Sequence, residues 1–167
     1  MNSPHRQEFH EFVTARSPAF MRLAYLLTAG DQHAAEDLLQ TSLAKTALKW
    51  GRIDDPDSYL RKVMYRQQIS WWRRQREYAV PDVPDRPGTD DTHAVELKVV
   101  VHKALGKLTA KQRAVLVLRY FEDCSESVVA DTLGCSVGTV RSTAHRALAR
   151  LLQLCPELRD LHIRSKA

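Results

Sequence analysis

A chain of 167 residues, 44% hydrophobic and 27% charged, has the balance of an ordinary globular protein, with room for one domain or two small ones. No apolar run approaches the ~20 residues that cross a bilayer, and no n-region/h-region signal opens the chain, so neither a membrane span nor a secretory leader is expected. The net charge of +5 fits a nucleic-acid partner without proving one, and the three cysteines (Cys124, Cys135, Cys155), lacking CxxC spacing, read as reduced thiols of a cytoplasmic protein with no structural zinc.

Four helices are expected in the first part. Phe9, Phe12 and Val13 open an amphipathic segment. Ser17-Pro18 reads as an N-cap followed by proline at the first helical position, restarting a helix that buries Phe20, Leu23, Ala24 and Leu27. Gly30 ends that helix and Asp31 caps the next, whose stripe is Ala35, Leu39, Leu43, Ala47 and Trp50. Residues 51–56 form a loop. A fourth helix runs from near Asp57 to about Glu77, with Leu60, Val63, Met64 and Trp71 on its apolar side.

Composition then changes. The stretch Val80–His93 carries three prolines, a glycine and four aspartates with little apolar mass, so it reads as an extended, mobile linker. Beyond it, Leu97, Val101, Ala104, Leu105 and Leu108 mark a helix ending near Gly106. Thr109 caps another, which is expected to bury Val115, Leu118 and Phe121. No β-alternation or internal repeat is evident, and the fold class is all-α. Each half is too small for a large core, so each should be marginally stable alone and helped by a partner.

The most informative stretch, Ser125–Leu151, reads as two short helices joined by a tight turn. Ala130 permits close helix crossing, Gly134 falls where positive φ is needed, and Ser136 is placed to cap the second helix. Val137, Val140, Ala144, Ala147, Leu148 and Leu151 form its inner stripe. Thr139, Arg141, Ser142, His145 and Arg146 lie opposite, as a helix entering a DNA major groove requires. Arg141 suits a guanine edge, Ser142 and His145 can bond bases, and Arg146 suits a base or a phosphate. Arg150 reads as a phosphate contact or a cation favoured by the helix dipole. Helical hairpins of this pattern also occur as plain packing units.

A second constellation, Arg61–Arg76, holds six basic residues and no acidic one, interleaved with Tyr65, Trp71 and Trp72. Cations neutralise phosphates and aromatic faces stack on exposed bases, which suits melting DNA. The bland alternative is a solvated basic face over core tryptophans, and for Trp71 the core reading is preferred. Histidines are scattered, and no phosphate loop, HExxH or GxSxG pattern is present, so no catalytic residue, metal site or cofactor is expected.

These residues resemble the bacterial sigma factors over nearly the whole chain. AAEDLLQTSLAKTALKW looks like region 2.2, PDSYLRKVMYRQQISWWRRQR like regions 2.3 and 2.4, and LTAKQRAVLVLRYFED…GCSVGTVRS…HRALARL like region 4.2. With two domains and a short linker, the chain resembles the extracytoplasmic-function (ECF, group 4) sigma factors of the sigma-70 family, and the SWWRR run suggests their actinobacterial subgroup. The resemblance implies a region 2-like domain at 1–79, a linker at 80–94, a region 4-like helix-turn-helix domain at 95–155 and a tail at 156–167. It implies a dissociable RNA polymerase subunit rather than an enzyme, cytoplasmic and at the nucleoid when in holoenzyme. It also implies docking on the β′ clamp helices through Asp37, Leu38, Gln40 and Thr41, presented on an outer face while Leu39 and Leu43 hold the core.

By the same resemblance, the −10 element would be read and melted by Arg61, Lys62, Tyr65, Arg66, Trp72, Arg73 and Arg74, with a flipped base captured near the loop at 51–59. The −35 element would fall to Thr139, Arg141, Ser142, His145 and Arg146, beside a contact to the β flap. Many members carry asparagine where this chain has Arg66, so no base preference is carried over there, and Cys124 stands where a larger aliphatic residue is commoner. The linker aspartates Asp82, Asp85, Asp90 and Asp91 fit either a nucleic-acid mimic in the RNA channel or a soluble tether. Family members are frequently held by an anti-sigma factor. A helix-turn-helix regulator with a sensing domain is the competing class, but it has no reason to carry the basic-aromatic helix. A nucleic-acid enzyme lacks its carboxylate or metal cluster.

Overall fold

The computed structural model describes residues 3–77 and 93–159, and every regular element among them is helical. The chain divides into two compact units, Met1–Arg73 and Arg74–Ala167. The expected linker, apart from its last residues, lies outside the described residues, as does most of the tail. His93 and Ala94, expected in the linker, belong to a helix.

The first unit holds α1 (Ser3–Leu27), α2 (Gln32–Ala47), a 3-10 turn (Trp50–Arg52) and α3 (Pro56–Glu77) as far as Arg73. The expected break at Ser17-Pro18 does not occur: α1 runs through, with Pro18 inside it. An interior proline costs about 3 kcal/mol. Packing on both sides of it offsets that. Phe12 and Phe20 stand 6.4 Å apart across the proline, and Phe9 and Phe12 both meet the Trp50 ring, at 5.0 and 5.1 Å. Arg16 pairs with Asp57 at the start of α3, Nη2 to Oδ1 at 2.5 Å.

Helix α1 ends in a left-handed turn at Ala29 (φ 55°) and Gly30 (φ 84°), with the Gly30 amide donating to the Tyr25 carbonyl at 2.8 Å. The side chain of Gln68 on α3 donates to the Leu27 carbonyl, in the last turn of α1, at 3.1 Å. Asp31 caps α2 as expected, accepting from the Ala34 amide at 3.0 Å. The buried face of α2, however, is Ala35, Leu38, Leu39, Ser42 and Thr46. Leu43 and Ala47 are only half-buried. Steps of four residues overshoot a turn by about 40°, so a stripe at 35, 39, 43 and 47 spirals off the packed face.

The second unit holds α4 (His93–Gly106), α5 (Ala110–Leu116), a π turn (Val117–Phe121), α6 (Glu126–Leu133) and α7 (Val137–Leu154). Thr109 and Gln112 form a reciprocal capping box at the start of α5. Arg113 is buried and secures the end of α4, donating through Nε to the Leu105 carbonyl at 2.9 Å and through Nη2 to that of Leu108 at 3.3 Å. Desolvation pulls its guanidinium down to about 10. Val115 and Leu118 are buried as expected, but Phe121 is 60% exposed. The π turn adds a residue to the ring, closed by the Glu122 amide on the Val117 carbonyl at 3.0 Å, and so rotates Phe121 off the face that an α-helix would bury.

Candidate nucleic-acid interface

Two serine caps and one glycine set the geometry of the α6–α7 hairpin. Ser125 Oγ accepts from the Val128 amide at 3.2 Å and Ser136 Oγ from the Thr139 amide at 3.1 Å, which fixes where each helix starts. Gly134 ends α6 at φ 67°, where a Cβ would meet no neighbour, so glycine is favoured by backbone conformation rather than by space. Val140, Thr143 and Ala147 turn inward from α7. Thr143, buried here, was absent from the expected stripe because its hydroxyl reads as polar.

The other side of α7 presents Arg141, Ser142, His145 and Arg146, all exposed, at spacings that keep them on one face. Arg150 is exposed further along, and the helix has no acidic residue. Thr139 is half-buried, its hydroxyl 2.9 Å from that of Ser136. Ser142 donates to the Thr139 carbonyl at 3.1 Å. Arg141 is held by a residue the sequence did not single out: its Nε donates to Glu126 Oε2 at 2.7 Å. Fifteen residues separate the pair, so only the closed hairpin brings them together.

On α3, Arg66, Arg73 and Arg74 are exposed and Lys62 is half-buried. Lys62, Arg66 and Arg73 follow one line along the helix. Arg61 is half-buried with its guanidinium carbon 6.0 Å from the Phe20 ring centroid. Tyr65 departs from the expectation. It is fully buried at 0% exposure, so its ring is part of the core and cannot stack on a base without opening the unit. Trp71 is half-buried, and the side chain of Trp72 lies outside the described residues.

On α2, Asp37 and Gln40 are exposed and Thr41 half-buried, sharing one face. Leu38 is fully buried and is not presented with them: one residue from Asp37 is a 100° rotation, which carries Leu38 into the core beside Leu39. The same outer face continues through Ala44 to Leu48, which is 87% exposed and escaped the sequence reading. Beside the loop that follows, His5, Glu8, Trp50, Gly51, Ile53 and Pro56 line a recess of about 300 Å³. A Cβ at Gly51 would sit 3.2 Å from His5 Cε1, so glycine lets α1 approach closely. Among the described residues, no group of acidic, histidine or cysteine side chains is arranged to hold a metal ion, and no helix is long and apolar enough to cross a membrane.

Comparison with known proteins yields one consistent result. Residues 98–151 match the sigma-70 region 4 family model. The chain is 43% identical over 149 residues to the RNA polymerase sigma-E factor of Streptomyces coelicolor, covering 86% of this chain and 84% of that protein. It is 30% identical to the ECF RNA polymerase sigma factor SigM of Mycobacterium tuberculosis H37Rv, covering 89% and 78%. Among solved structures, the sigma factor RpoE of Bartonella quintana, crystallised with the anti-sigma factor NepR, superposes with a TM-score of 0.70 at 26% identity, covering 89% of this chain and 96% of that one.

Proposed function

Because the chain belongs to the extracytoplasmic-function RNA polymerase sigma factors and directs promoter-specific transcription initiation, we propose how its residues divide that task. A sigma factor is not an enzyme. It supplies binding energy, from phosphates and base edges, and positions core RNA polymerase on promoter DNA.

In this reading α7 enters the major groove of the −35 element. Arg141, Ser142, His145 and Arg146 face the bases and adjoining phosphates, and Thr139 supports the first turn. The observation that carries it is the exposed four-residue face on a capped helix with no acidic residue of its own. The line of Lys62, Arg66 and Arg73, flanked by Arg61 and Arg74, tracks the backbone of the −10 region as it opens. A flipped base would find room in the recess beside Gly51, with His5 and Glu8 of α1 at its edge. Asp37, Gln40 and Thr41 form the polar part of the surface that docks on the β′ clamp helices, and Leu48 forms its apolar end. The second unit contacts the β flap. An anti-sigma partner belongs to the same reading, as does a place in the cytoplasm at the nucleoid.

The test combines the full chain with core RNA polymerase and a library of promoter fragments. Initiation from fragments sharing two spaced elements is expected. DNA binding by the free chain without association with core enzyme would defeat the reading.

A further inference from the structure

Arg141 is the α7 side chain best suited to a bidentate base contact, and it already has a partner within the protein. Its Nε donates to Glu126 Oε2 at 2.7 Å, while 68% of its side-chain surface remains open. Glu126 is the first residue of α6, next to the Ser125 cap, where the helix dipole favours a carboxylate. It is therefore anchored on a short helix packed against α7 and makes a fixed point for the arginine.

For stability the pair means little, since exposed ion pairs contribute about 0–1 kcal/mol. Its effect on recognition is larger. With Nε engaged, the two terminal nitrogens remain to donate in parallel, the arrangement that matches O6 and N7 of guanine. A side-on approach through Nε is closed. Holding a long side chain in one orientation before contact also removes part of the ordering cost of binding. Meanwhile a carboxylate at the edge of a DNA-facing surface repels phosphates, so Glu126 should weaken sequence-independent attraction. The first effect strengthens the specific contact and the second weakens sequence-independent attraction, so both favour discrimination.

We propose that Glu126 is a positioning residue that fixes Arg141 for end-on reading of a guanine at one position of the −35 element. The inference rests on the reading of α7 as the −35 helix. A bidentate contact supplies roughly 5- to 150-fold discrimination between bases, and Glu126 sets how much of it is realised.

Holoenzyme reconstituted from the full chain and core RNA polymerase is assayed on promoters varied through all four bases at each −35 position. Arg141→Ala should abolish preference at one position. Glu126→Ala should lower preference at that same position by at least about threefold, while binding to non-promoter DNA stays equal or tightens. Glu126→Gln, which keeps an acceptor at the same reach, should lose less. In the Arg141→Ala background, Glu126→Ala should have no further effect on base preference.

If Arg141→Ala changes no base preference, the assignment of Arg141 as a reader fails and the inference falls with it. If Arg141→Ala acts but Glu126→Ala leaves discrimination intact, only the inference is overturned. Equal losses for the alanine and glutamine variants would also overturn it, because charge rather than orientation would then be responsible. So would an unchanged effect of Glu126→Ala in the Arg141→Ala background.

Discussion

Asp55 fixes where α3 begins. Its Oδ1 accepts from the Ser58 amide at 3.1 Å, and its own carbonyl accepts from Tyr59 at 3.0 Å. The Ser58 amide bond, helped by the Ser58 side chain and by Arg61, holds the carboxyl below its usual value of 3.8. A carboxyl depressed in the folded state stabilises it above the unfolded pKa and loses that contribution as pH falls through the folded one. Thermal unfolding of the full chain should therefore show an Asp55-dependent fall in stability below about pH 4. Asp55→Asn should remove that part of the pH dependence while keeping the cap, and Asp55→Ala should cost about 1 kcal/mol at neutral pH. An unaltered acid profile in Asp55→Asn would exclude this role. Asp31, Thr109 and Ser136 were legible as caps because capping is settled within three residues. Leu38 and Tyr65 were misplaced because burial is decided by the partner element, which no local pattern names.

At the scale of elements, α1 shows tertiary packing overriding a local breaker. Ser17-Pro18 has the chemistry of a helix start, but Phe12 and Phe20 must share one cluster, and the Arg16–Asp57 pair ties the same stretch to α3. A continuous helix satisfies both at the cost of the hydrogen bond that residue 18 cannot donate. Pro18 is exposed, so Pro18→Ala should restore that bond without opening a cavity. It should raise stability by about 1–3 kcal/mol, read as an increase in Tm. An unchanged or lower Tm would mean that the ring itself packs usefully. In the hairpin of α6 and α7 the Gly134 turn and the Ser136 cap were legible because they are local signals. Of the expected inner stripe, however, only Val140 and Ala147 are buried, and Val137, Ala144, Leu148 and Leu151 are half-buried. The π turn was not legible: a one-residue widening leaves no mark in the apolar spacing, and Phe121 looked like core.

Across the whole molecule, the proposed function assigns different work to the two units. The second unit presents an exposed cationic face on α7, whose start is set by Ser136 and Gly134 and whose Arg141 is met by Glu126. The first unit carries an acidic-polar face on α2 and a cationic line on α3, surfaces of opposite character on neighbouring helices. Composition and motif spacing were enough to expect two helical parts and a nucleic-acid partner. They could not show the outward Leu48 or the recess formed with His5 and Glu8, since both arise from how α1, α2 and the 3-10 turn meet. If α7 reads the −35 element and α2 docks on core polymerase, the two tasks reside in separable surfaces. The direct measurement compares core affinity and −35 base preference, in one set of holoenzymes, for Arg141→Ala and for Asp37→Ala combined with Gln40→Ala. The first should relax preference by about 1–3 kcal/mol with core affinity unchanged, and the second should weaken core affinity with preference unchanged. Loss of core binding in Arg141→Ala, or an altered base preference in the α2 variant, would contradict it.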